Sequence, residues 1–157
     1  MKIARYILPV FSISAMLLFV QCDKGLEPPD IDLKPPGAIK GTVTYSGTWP
    51  SQDSLQDLRF VPLQFKPQTE NDIISNFGKL KFSNRLQYFV SSDSFFVSDV
   101  ENDIYIYNII AQNRGLITDW VPVGVYSDND GLIQVEGDTT TIHIHVDFDN
   151  LPPFPPE

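Results

Sequence analysis

Strict two-residue alternation constrains this chain more than any other feature. From Thr140 to Phe148 the residues run Thr-Thr-Ile-His-Ile-His-Val-Asp-Phe. Ile142, Ile144, Val146 and Phe148 fall on one side, and Thr141, His143, His145 and Asp147 on the other. An extended strand points successive side chains to opposite faces, so this segment has one buried face and one wet face. Ile39, Gly41, Val43 and Tyr45 alternate with Lys40, Thr42 and Thr44 in the same way. Further strands are expected at 58–65, 86–90, 95–97, 104–111, 121–126 and 132–135. Pro62 pushes the first of these towards a sheet edge or a bulge. The nearly unbroken apolar run 104–111 suits a strand buried on both faces.

Turn signals separate the strands: Ser46-Gly47, Asn113-Arg114-Gly115, Asp128-Asn129-Asp130-Gly131 and Glu136-Gly137-Asp138. Helical signal is confined to 51–58, with Ser51 as N-cap, and to one short turn in the polar loop 66–85. The expectation is an all-β fold, a single antiparallel β-sandwich of about seven strands.

Proline brackets this region. Residues 23–37, DKGLEPPDIDLKPPG, hold two Pro-Pro pairs and read as a semi-rigid tether. Fifteen residues at ~3.1 Å each span about 45 Å. The other end, 151–157, is LPPFPPE and cannot continue a sheet interior. The expected organisation is 1–21 export signal, 22–37 tether, 38–150 sandwich and 151–157 tail.

Residues 1–21 have Lys2 and Arg5, then an apolar run from Ile7 to Val20. A basic start, an apolar stretch of ~7–15 residues and a short polar exit make a secretion signal. An uncleaved anchor helix is the alternative, but spanning needs ~20 apolar residues, and this run holds Pro9, Ser12 and Ser14 and stops at Gln21. Leu18-Phe19-Val20-Gln21-Cys22 resembles the lipobox of bacterial lipoproteins, with Phe19 where leucine is commonest and Gln21 where a small residue is. The resemblance implies a diacylglyceryl thioether on Cys22 and an acylated new N-terminus. Cys22 is the only cysteine. The expected address is an exported lipoprotein of the bacterial cell envelope, tethered to a membrane, inner or outer.

Composition excludes some functions. The net charge is −9, and removal of residues 1–21 takes it to −11, since they hold two bases and no acid. Phosphate binding is driven by Lys and Arg, so nucleic acid is not expected as a partner. Acidity likewise disfavours lying flat on anionic lipid. With one cysteine there is no internal disulfide, and a core must stabilise the domain.

Three stretches together resemble a known pattern: Ile39-Lys-Gly-Thr-Val-Thr-Tyr-Ser-Gly-Thr-Trp-Pro50, Asp119-Trp-Val-Pro-Val-Gly-Val-Tyr126 and Ile142-His-Ile-His-Val-Asp-Phe-Asp-Asn-Leu-Pro-Pro153. The first is similar to the opening strand of carboxypeptidase regulatory-like domains, which have a prealbumin-like β-sandwich. The other two look like later strands of small lipoproteins of the Bacteroidetes that carry such a domain. The resemblance implies that fold, no catalytic residues and a binding or structural role.

Four constellations carry chemistry worth weighing. His143 and His145 share a strand face with Asp147 and Asp149, and Zn²⁺ takes His and Asp ligands. Asp149 lies about 13 Å along the strand from His145, so cross-strand partners would have to complete a site. A solvated polar face is the plainer reading. Asp128 and Asp130 begin like a Ca²⁺ loop, but Thr139 stands where an EF-hand needs glutamate. A hairpin turn, or a Ca²⁺ site with Glu136 or Asp138, is left. Trp49, Trp120 and Tyr126, with Tyr105 and Tyr107, are candidates for a sugar- or peptide-stacking surface, against plain packing. No Gly-x-Ser-x-Gly elbow or phosphate loop is present, so no enzyme and no cofactor are expected. The leading reading is a lipid-anchored, non-catalytic module that binds a protein or glycan. A metal-dependent (Ca²⁺ or Zn²⁺) envelope protein is the alternative.

Overall fold

Alternation in the sequence becomes two apolar sheet faces turned towards each other. The computed structural model describes residues 34–116 and 119–156. Within them lie the strands β1 (Gly37–Ser46), β2 (Asp57–Leu63), β3 (Ser92–Val100), β4 (Ile104–Tyr105), β5 (Tyr107–Asn113), β6 (Trp120–Val125), β7 (Ile133–Gln134) and β8 (Thr139–Asp147). One α-helix, α1 (Glu70–Asn76), and short 3₁₀ turns at 52–54, 77–79 and 128–131 interrupt them. Sheet A has the order β3-β1-β8, sheet B the order β2-β5-β6, and β4 and β7 form a two-stranded ribbon. The fold is all-β and sandwich-like, as alternation predicts. Cys22 and all of the tether before Lys34 lie outside the described residues. No helix among the described residues is long and apolar enough to cross a membrane.

The core lies between sheets A and B. Ile39, Val43, Phe95, Val97, Ile142, Ile144 and Val146 come from sheet A, and Leu58, Phe60, Ile110 and Val123 from sheet B. Gly41 sits in the inward row of β1. A Cβ there would meet the carbonyl of Ile142 and, at 2.5 Å, the ring of Phe95. The missing side chain lets Phe95 lie across β1 and stack on Phe60 of the opposite sheet, with ring centroids 4.4 Å apart. That is the physical content of the Ile-x-Gly-x-Val pattern.

One strand pair departs from the antiparallel expectation. β1 pairs with β3 antiparallel but with β8 parallel, in unbroken register from Ala38↔Thr139 to Ser46↔Asp147. Parallel neighbours need a long crossover. Here the crossover is everything between them, including all of sheet B.

Both open sides of the sandwich are closed. On one side β6 approaches β8 at Gly124, where an added Cβ would lie 2.7 Å from Val146 and 3.2 Å from the carbonyl of His145. On the other, residues 83–87 run between β2 and β3. The amides of Ser83 and Leu86 donate to the carbonyls of Phe60 and Leu58, and the Asn84 side chain bonds Ser94 and Phe96 of β3. These bonds cover strand edges that would otherwise recruit another chain. The stretch 86–90, expected as a strand, forms none, and Leu86 belongs instead to the irregular wall 83–87 between the two sheets. Pro62 lies on edge strand β2, as expected. It has the parity of Phe60, whose amide points outward to the Ser83 hydroxyl, so the missing N–H breaks no pairing with β5.

The run 104–111 is broken. Ile104–Tyr105 turns away to pair with β7, and the amide of Ile106 donates to Leu63. From Tyr107 onward β5 is buried on both faces. Its inward residues join the core. Its outward residues Tyr107, Ile109 and Ala111 join Val61 and Leu63 in a second cluster, covered by α1 and the segment around Leu80 and Phe82. The expected helical turn in 66–85 is α1.

Candidate functional site

β1 and β8 lie side by side in parallel register, so the outward residues of both form ladders. Thr42 stands beside His143, Thr44 beside His145 and Ser46 beside Asp147. Hydroxyls and imidazoles then alternate along the face. Thr42 Oγ1 lies 2.8 Å from His143 Nδ1, and Thr44 Oγ1 lies 3.3 Å from His143 Nε2 and 3.0 Å from His145 Nδ1. Ser46 Oγ lies 3.0 Å from His145 Nε2. On the far side of β1, Phe96, Ser94 and Ser92 stand beside Lys40, Thr42 and Thr44. The result is an exposed grid of hydroxyls and imidazoles with one amine and one exposed ring. Phe96 is 51% exposed. The outward aromatic was readable in principle: Phe95-Phe96 inside an alternating strand forces one ring outward.

The metal-ligand candidates do not converge. Each histidine nitrogen faces a hydroxyl. Asp147 and Asp149 act in the turn after β8, where Asp147 accepts the Asp149 amide at 3.1 Å and Asp149 accepts the Thr48 amide at 2.9 Å. Among the described residues no group of three or more His, Cys, Asp or Glu is placed to share a metal ion. Asp128 and Asp130 lie on the exposed turn 128–131, where Asn129, Asp130 and Gly131 all take positive φ. The turn chemistry is as expected, but no hairpin forms, because β6 pairs with β5 and β7 with β4.

The three aromatic candidates do not share a surface. Trp49 packs on Tyr45, Phe148 and Phe89, at centroid distances of 4.7, 4.4 and 5.5 Å. Burial, aided by nearby Asp93, pushes the Tyr45 hydroxyl well above the usual phenol range. Trp120 belongs to the second cluster and packs against Phe82 at 5.7 Å. Tyr126 packs against the main core beside the 152–156 tail. Tyr105 and Tyr107 are buried, which answers the packing reading for both.

Phe89 was not foreseen. It is 55% exposed and held at φ 58°, in the left-handed region that bulky residues avoid. Comparisons with protein-family models, with curated proteins and with solved structures give no match.

Proposed function

We propose that the chain is a lipid-anchored, non-catalytic module of the bacterial cell envelope that binds a protein or glycan partner through the outer face of sheet A. One observation carries the reading. Sheet B is covered on both faces and both sides of the sandwich are closed, while the outer face of β3-β1-β8 stays uncovered among the described residues. Its hydroxyls and imidazoles donate and accept at strand spacing, and Phe96 offers a stacking ring. Such chemistry suits a glycan. The anchor rests on the apolar run before Cys22 and its resemblance to a lipobox. The prealbumin-like assignment rests on the three resembling stretches.

Two experiments test the two halves. Cys22→Ser is expected to abolish labelling by a palmitate probe and release the protein from membranes; equal fractionation and no labelling in either form would sink the anchor. For the face, full-length chain is screened on a glycan array beside a His143→Ala/His145→Ala/Phe96→Ala variant. Binding that the variant loses supports the reading. Binding unchanged in the variant overturns it.

A further inference from the structure

We propose a second site, on the opposite sheet: a groove between α1 and sheet B that takes a single-chain anionic amphiphile. It is independent of the sheet A face and of the Cys22 anchor. The floor is the outward face of sheet B, with Leu63, Ile109 and Trp120, and the roof is α1 with Phe77 and Leu80. The space enclosed is narrow, about 50 Å³, room for a few waters and no more. At Leu63 and Leu80 it meets a wider hollow of about 390 Å³, lined by Lys79 and Lys81.

Two observations favour this occupant. The roof is loosely held: no residue of α1 is fully buried, Ile74 is 46% exposed, and Gly78 has nothing near its Cα face. A roof with so little buried contact opens at small free-energy cost. Charge is complementary as well. In a chain of net charge −9, two lysines stand at the wide end, and among the described residues neither is within ion-pair distance of a carboxylate, Glu101 across the hollow included. Glu70, the one acid among the described residues lining the narrow part, repels a headgroup there. An alkyl chain therefore enters under α1 and its carboxylate or phosphate stays at Lys79 and Lys81.

Full-length chain labelled with 5-fluorotryptophan reports the site, because the two tryptophans give separate fluorine resonances, assigned with Trp49→Phe. Dodecanoate and dodecyl phosphate are titrated below their micelle concentrations, and dodecanol below its solubility limit. The expected result is a saturable shift of Trp120 with an anionic probe and none of Trp49. Preference for dodecyl phosphate indicates a phospholipid-type head, and preference for dodecanoate a fatty acid. Lys79→Gln/Lys81→Gln, two surface changes checked for an unchanged melting temperature, weakens the anionic probes about tenfold and leaves dodecanol unaffected. The proposal is overturned if no anionic probe moves Trp120, if affinity survives the double change, or if dodecanol binds as tightly as the anions.

Discussion

Two glycines and one isoleucine show how single residues set this structure. Gly124 leaves too little room for a methyl group, since Val146 lies 2.7 Å and the His145 carbonyl 3.2 Å from its Cβ position. Gly124→Ala is expected to destabilise by about 1–3 kcal/mol in urea denaturation. Gly41→Ala costs more, because the Ile142 carbonyl and the Phe95 ring both lie closer to its Cβ position than either obstacle at Gly124. Equal stability of Gly41→Ala and wild type would show that Phe95 finds another seat without loss. Ile144 is buried in the core, and Ile144→Ala is expected to cost about 2–5 kcal/mol by the same measurement. The alternating pattern announced Ile144 as core. It did not announce why Gly41 is glycine, because Phe95 reaches it from 54 positions along the chain.

At the scale of elements, α1 depends on its first turn. The Asp72 carboxylate accepts the amides of Gln68 and Thr69 at 2.8 and 2.9 Å, and those bonds hold its pKa below the usual aspartate value. The charged form is the one the folded state favours. Its contribution is complete above the ordinary aspartate value near pH 4 and is lost as pH falls through the lowered folded value. Amide exchange of 70–76 is therefore expected to quicken in Asp72→Ala, and in wild type as acid protonates Asp72, with the sheets unchanged. Exchange in α1 that ignores both would show the cap to be idle. The sequence marked 66–85 as loop with one helical turn, and α1 is that turn. Its role as roof over an apolar sheet face was not read, because Ile73, Phe77 and Leu80 keep the i, i+4, i+7 spacing of a helical face only briefly, with polar residues between them, and Phe82 breaks it.

For the molecule as a whole, the decisive pairing is β1 with β8, which joins positions about a hundred residues apart. Non-local pairing of this kind folds slowly, because loop closure precedes any contact that rewards it. Refolding in stopped-flow fluorescence is expected on the millisecond-to-second scale, and microsecond folding would contradict it. A chain ending at residue 138 lacks β8 and exposes β1. It is expected to show no cooperative melting, and a sharp transition in it would mean that sheet A stands without its third strand.

Alternation and proline spacing by themselves determined the strand faces, the all-β class and the wet face bearing His143 and His145, because strand periodicity is a local property of the backbone. Pairing partners are not local. That β8 returns parallel to β1, that 83–87 becomes a wall between sheets, that 128–131 turns without a hairpin, and that Trp49 and Trp120 pack into different clusters were decided only in three dimensions. There, the burial of both faces of sheet B and the covering of exposed edges choose among arrangements that alternation alone leaves equal.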